Sequence, residues 1–212
     1  RDKSVHINDL RVNPTNDSPA FAFNGHKQEV CGLSFSPSSE MLASGGNDNR
    51  FIIWDLRKAS ELFVSTKHTA AVKAIDWSPH KHNLVLSGGG THDQTIKVWN
   101  THTCGLMSSI DSGSQVCAIK FSPNVNEFVS AHGYSQNHVN VWSLNQGECT
   151  KFAVLQGHSS RVLYLAVSPD GRNVVTGAGD ESLRFWDVFP TKPAPKENLP
   201  ASDLKLNFSE IR

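Results

Sequence analysis

The sequence predicts an all-β chain folded as a β-propeller of repeats, and three observations predict it. Tryptophans recur at Trp54, Trp99, Trp142 and Trp186, in steps of 45, 43 and 44 residues. A Ser-Pro pair keeps the same beat at Ser36-Pro37, Ser78-Pro79, Ser122-Pro123 and Ser168-Pro169. Between these markers apolar residues alternate in short runs bounded by Gly, Pro, Asn and Asp, as strands and turns require. A period of about 40–45 residues that opens on Gly-His and closes on Trp-Asp is the signature of a propeller blade. Such a unit cannot bury its apolar faces alone and must stack on its neighbours.

Taken in order, Val5 to Arg11 alternates as a third strand, with Asn8-Asp9 standing where Trp-Asp would, 46 residues before Trp54. Pro19 to Phe23 is then an outer strand, so residues 1–25 form half a blade. Blades follow at about 26–66, 67–111, 112–156 and 157–188. In the first, His26 precedes a strand from Val30 to Phe35, and Ser36-Pro37 turns the chain. Met41 to Ser44 is the second strand, Gly45-Gly46-Asn47-Asp48 a tight turn, Asn49 to Trp54 the third strand and Glu61 to Ser65 the outer one. Residues 189–212 carry four prolines, scattered charge and no strand period, and read as a flexible tail ending in Ile211-Arg212. Propellers have four to eight blades and close by pairing their two ends. Four blades and a half therefore read as part of a larger ring, as does a chain that begins with Arg1. An unclosed ring leaves open faces and unpaired edges.

Composition narrows the function classes. The formal net charge is zero, so no bulk field draws the chain to nucleic acid or a membrane surface. No apolar run is long enough for a spanning helix. Cys31, Cys104, Cys117 and Cys149 show neither Cys-x-x-Cys nor zinc spacing. Cys31 and Cys117 lie inside apolar strand patterns and read as buried free thiols, which suits a reducing compartment. His80, His82, His92 and His102 fall in predicted loops without ligand spacing, so no metal is expected. No nucleophile–base pair or phosphate loop stands out either, and the chain reads as a binding protein without a cofactor rather than an enzyme.

The repeat resembles the WD-repeat family. That resemblance implies a buried network in each blade, in which a His bridges the turn Asp and a strand Ser or Thr whose hydroxyl reaches the indole N–H. The sets here are His26-Ser44-Asp48-Trp54, His68-Ser87-Asp93-Trp99 and His158-Thr176-Asp180-Trp186. The His–Asp pairs thus read as structural rather than catalytic. In the third blade Ser114 replaces the His and Gln136 the Asp, so that blade is expected to lack the network.

More specific strings point further. Residues 29–33 (EVCGL), 43–49 (ASGGNDN), 71–75 (AVKAI), 87–91 (SGGGT), 113–117 (GSQVC), 132–137 (HGYSQN) and 160–163 (SRVL) are similar to the fizzy and fizzy-related proteins. Residues 177–181 (GAGDE) and 185–189 (FWDVF) lie closer to the fizzy-related branch. The family consists of substrate-recruiting coactivators of the anaphase-promoting complex, a ubiquitin ligase of the cell cycle. The resemblance implies a seven-bladed ring of which these are the last four blades. It also implies degron-bearing cell-cycle substrates and pseudosubstrate inhibitors as partners, in nucleus and cytoplasm, with neither nucleic acid nor membrane involved. The first blades and the arm that docks on the ligase would be absent.

Loop position supplies an independent reading. Asn47, Asn49 and Thr91 fall in or just beyond second-to-third turns, while Gln115 and Arg161 each precede a first-strand valine. All five would share one propeller face near the central channel, where amides, a hydroxyl and an arginine suit a short peptide. The resemblance makes this the Lys-Glu-Asn degron site, with Arg161 facing the degron Glu. The bland alternative is that Asn47 and Asn49 merely suit a tight turn and Thr91 a loop. By the same resemblance Glu181 faces the arginine of the destruction box, in a groove whose other wall belongs to the first blade. Ile211-Arg212 is similar to the anchor that enters a helical-repeat subunit of the ligase. Lys196-Glu197-Asn198 spells the degron itself, as a tail degron or as a chance tripeptide in a charged linker. Competing readings are a generic WD-repeat scaffold and a truncated inactive product.

Overall fold

The structure, a computed structural model, describes residues 2–9, 11 and 21–190. These residues hold seventeen strands and no helix. β1 (Ser4–Ile7) and β2 (Phe21–Asn24) form a two-stranded antiparallel sheet. Three four-stranded sheets follow in simple up-and-down order. They are β3 (Val30–Phe35), β4 (Met41–Gly46), β5 (Phe51–Asp55) and β6 (Ser60–Ser65); β7 (Val72–Trp77), β8 (Leu84–Gly89), β9 (Thr95–Asn100) and β10 (Gly105–Asp111); and β11 (Val116–Phe121), β12 (Glu127–His132), β13 (Val139–Asn145) and β14 (Glu148–Leu155). The last sheet has three strands among the described residues, β15 (Val162–Val167), β16 (Asn173–Ala178) and β17 (Leu183–Asp187).

The sheets stack side by side through their inner strands, β3 on β7, β7 on β11 and β11 on β15. Four apolar clusters fill the four interfaces between the five sheets. Aromatic stacking ties them together: Phe23 lies on Trp54 of the next sheet at 4.8 Å, and Phe51 on Trp99 at 5.3 Å. Gly45 and Gly88 belong to second strands, not to turns as expected for Gly45. A β-carbon at Gly45 would collide with the Val72 carbonyl, and one at Gly88 with Val116. The neighbouring inner strand passes at that point, and only a residue without a side chain lets it.

The same positions differ in burial according to what stands next to them. Ile75 and Trp77 on β7, and Ile119 and Phe121 on β11, are buried against the preceding sheet. Their counterparts on β3, Leu33 and Phe35, are exposed, because the sheet before them has only two strands, β1 and β2, among the described residues. At the other end, Phe51 and Ile53 of the first full sheet are fully buried by the next one, whereas the equivalent Leu183 and Phe185 are 70% and 76% exposed.

A relay of hydrogen bonds from Trp to Asp runs through three of the sheets. In the first, Trp54 Nε1–H donates to Ser44 Oγ at 2.8 Å, Ser44 contacts His26 Nε2 at 2.8 Å, and His26 Nδ1 contacts Asp48 at 3.0 Å. The second repeats it through Trp99, Ser87, His68 and Asp93 at 2.7, 2.7 and 2.8 Å. The last does so through Trp186, Thr176, His158 and Asp180 at 2.9, 2.8 and 3.0 Å. The indole only donates and the carboxylate only accepts, so a neutral imidazole with its proton on Nδ1 satisfies every member. Each Asp also accepts the backbone N–H that follows its His, from Lys27, Thr69 and Ser159.

The third sheet departs from expectation: it has a network after all. His132, at the end of β12, fills the space of the missing loop histidine. Its Nε2 meets Ser130 Oγ at 2.7 Å, its Nδ1 meets Ser114 Oγ at 3.2 Å, and Trp142 Nε1–H donates to Ser130 at 2.7 Å. The ring has moved from the loop to the strand, and the serine in the old His position has become its partner. His138 stacks on it at 4.9 Å. A second correction concerns the tail. Phe189, expected to begin it, is 2% exposed within the cluster between the last two sheets, and its N–H donates to Arg172 O. An aromatic ring with an apolar cleft within reach buries itself, whatever the prolines after it do.

Burial pushes the His68 imidazole below its ordinary value, and burial together with the neighbouring His138 takes His132 down to about 3 from 6.5. In each case the folded state binds protons more weakly than the unfolded chain. Stability is therefore full above about pH 6.5 and falls as pH drops from there towards the folded values. Between pH 7 and pH 5, urea denaturation should show a loss of about 2 kcal/mol from His132 alone. The His132→Phe variant should show a shallower pH slope over that interval.

Candidate peptide-recognition face

Each inner strand opens on a valine, and each valine pairs with the end of the second strand: Val30 with Gly46, Val72 with Gly89, Val116 with His132 and Val162 with Ala178. A register shift follows all four valines, so the ladder bulges at the same point of every sheet. Bulges bend a strand and re-aim its side chains. The residues just before the valines, Glu29, Ala71, Gln115 and Arg161, are thus equivalent positions on one rim. Three are tied to the facing turn through their carbonyls: Asn47 N–H donates to Glu29 O at 2.9 Å, Gly133 N–H to Gln115 O at 2.9 Å and Gly179 N–H to Arg161 O at 3.0 Å.

This register puts the five predicted residues on that rim. Asn47 is the first residue after β4 and is exposed, and Asn49 closes the same turn. Thr91 is exposed in the β8–β9 loop, where its carbonyl accepts a bond from Gln94 Nε2 at 3.0 Å. Gln115 is half-buried and Arg161 exposed. Beneath the rim lie thiols: Cys117 is buried as expected, whereas Cys31 is only half-buried, with its Sγ contacting Val72 O at 3.2 Å. Burial raises both thiols above their ordinary value, which makes them poor nucleophiles. No group of three or more His, Cys, Asp or Glu among the described residues could hold a metal, and no helix there is long and apolar enough to cross a membrane.

Glu181 occupies the turn between β16 and β17, exposed, with a φ of 63°. Asn49, Gln94 and Asn137 stand at the same place in the other sheets, at 63°, 56° and 50°. Asn tolerates this left-handed conformation, but Glu gains nothing from it. The tail residues Lys196, Glu197, Asn198, Ile211 and Arg212 lie outside the described residues.

Two rim residues escaped sequence reasoning. Glu29 carries an exposed carboxylate, held below its ordinary value by its own backbone N–H and by the Asn47 amide. Its equivalence with Gln115 and Arg161, each one residue before a valine, was the available signal. Tyr134, 63% exposed on the β12–β13 loop, lies with its ring centroid 5.6 Å from Arg161 Cζ. No periodicity marks a loop residue of that kind.

A family model described as the CDC20/Fizzy WD40 domain matches residues 1–186. The chain belongs to the CDC20/Fizzy family. Within it, the chain is 52% identical over 208 residues to Protein FIZZY-RELATED 2 of Arabidopsis thaliana, covering 98% of this chain and 41% of that protein. It is 49% identical over 212 residues to the B-type cell cycle switch protein ccs52A of Medicago truncatula, covering 100% and 44%. A protein of Dictyostelium discoideum named as anaphase-promoting complex subunit cdh1 is 44% identical over 241 residues, covering 99% and 31%. The chain thus spans less than half the length of these relatives. Among solved structures, a chain of the mitotic checkpoint complex superposes with a TM-score of 0.85 at 42% identity, covering 90% of this chain and 57% of that one. The propeller fold expected from the Trp spacing is the fold of that solved chain.

Because Glu181 holds a left-handed backbone that Asn adopts more readily, Glu181→Asn should raise stability by about 1 kcal/mol. The midpoint of urea denaturation checks it. A fall would mean that the Glu side chain itself supports the turn.

Proposed function

We propose that this chain is the substrate-recognition portion of an activator of the anaphase-promoting complex, and that its rim takes up the Lys-Glu-Asn degron. The common rim position of Asn47, Asn49, Thr91, Gln115 and Arg161 carries this reading, with the family and the name of the Dictyostelium relative as support. Amide and hydroxyl side chains pair with the degron backbone and its Asn, and Arg161 holds the degron Glu by charge-assisted hydrogen bonds. Glu181 faces a destruction-box arginine when a further sheet supplies the other wall of its groove. Ile211-Arg212 docks on a helical-repeat subunit of the ligase, and Lys196-Glu197-Asn198 is a degron carried in the tail. Cell-cycle substrates and pseudosubstrate inhibitors that bear the tripeptide are the partners, encountered in nucleus and cytoplasm.

A labelled Lys-Glu-Asn peptide titrated onto the chain tests the central step. Charge-assisted hydrogen bonds contribute about 1.5–3 kcal/mol, so Arg161→Ala should weaken binding roughly 10- to 100-fold. A scaffold that reads no degron predicts the same response from both proteins.

A further inference from the structure

Arg161 is the rim residue with the most freedom to lose. Its side chain is long and exposed, and none of the ion pairs formed among the described residues includes it. A free arginine side chain gives up much rotamer entropy when it grips a ligand. A contact on it comes from the adjacent sheet, where the Tyr134 ring centroid lies 5.6 Å from Arg161 Cζ, within cation–π reach. A ring against one flat side of a guanidinium leaves the edge of N–H donors free for a carboxylate.

Tyr134 is itself held in place. Gly133 N–H donates to Gln115 O at 2.9 Å, and Gln136 and Asn137 N–H donate back to Gly133 O at 3.1 and 3.0 Å, which closes the loop. A β-carbon at Gly133 would come within 2.8 Å of Gln115 Oε1, so the loop sits tightly over that side chain. Asn137 Nδ2–H then reaches Ser159 O of the last sheet at 3.2 Å. The loop bridges two sheets and touches both rim residues, Gln115 on one side and Arg161 on the other. The Tyr134 ring is 63% exposed and belongs to none of the apolar clusters, so it stands available at the rim beside Arg161.

We propose that Tyr134 is a positioning residue for peptide specificity: its ring holds the Arg161 guanidinium edge-on to an incoming carboxylate, so that the rim distinguishes Glu from Gln at the middle of the tripeptide. This rests on the recognition reading given above.

The test uses the chain with Tyr134→Ala, Tyr134→Phe and Arg161→Ala, and peptides containing Lys-Glu-Asn or Lys-Gln-Asn. Side-chain NMR of Arg161 reads the stack without any peptide. The ring-current shift of its protons should vanish in Tyr134→Ala and persist in Tyr134→Phe. In titrations, Tyr134→Ala should weaken the Glu peptide roughly two- to fivefold, the worth of an exposed cation–π contact. The Gln peptide should be unaffected, and Tyr134→Phe should restore the preference. Equal loss on both peptides, no loss on either, or a Phe variant as weak as the Ala one would each overturn the proposal. If the unaltered chain binds neither peptide, or Arg161→Ala leaves the preference intact, the recognition reading itself fails. If only the Tyr134 arms fail, that reading stands and this one falls.

Discussion

A hydroxyl at the middle of each of the last four sheets is the constraint on which the rest depends. Ser44, Ser87, Ser130 and Thr176 are all fully buried, and each takes an indole N–H on one side and an imidazole on the other. A buried polar atom without a partner is costly, so strand, turn and loop must arrive together for the relay to close. Once closed, it locks the turn after the second strand against the loop before the first. These two segments form the rim. The apolar clusters between sheets supply most of the stabilisation, but apolar contacts are not directional. The relay is what fixes where the rim side chains stand.

Much of this was legible in the residues. Trp54, Trp99 and Trp186 each follow a turn Asp by six positions, and their relays form as the spacing implies. The third sheet was misread because pattern matching asks which residue sits at a position, whereas the relay asks which ring fills a space. His132 fills it from the second strand rather than from the loop before the first. Gly45 was misplaced for a related reason. Sequence marks glycine as a turn residue, and the crowding by Val72 that requires it in a strand comes from the next sheet. Phe189 was lost among prolines, although a single aromatic residue can be captured by a neighbouring cleft. Tyr134 lies beyond any periodic signal, since a cross-sheet contact between two loops leaves no trace in spacing.

The exposed residues at the two ends tell of the same rule from the other side. Leu33 and Phe35 at one end, and Tyr164, Leu183 and Phe185 at the other, hold the positions that face a neighbour in the interior sheets. They are the surfaces that a further sheet at either end would cover. This accords with a chain that spans less than half the length of its Fizzy relatives.

The rim repeats one backbone address in every sheet, and the side chains there differ: Glu29, Ala71, Gln115 and Arg161. None of them is part of a relay or of an apolar cluster. Fold and rim chemistry are therefore encoded in separate residues. The same backbone address recurs once per sheet, so the rim is a row of independently replaceable positions. At Ala71 that row carries only a methyl group. A larger side chain there changes the rim while the relays and apolar clusters that keep the sheets in order stay as they are.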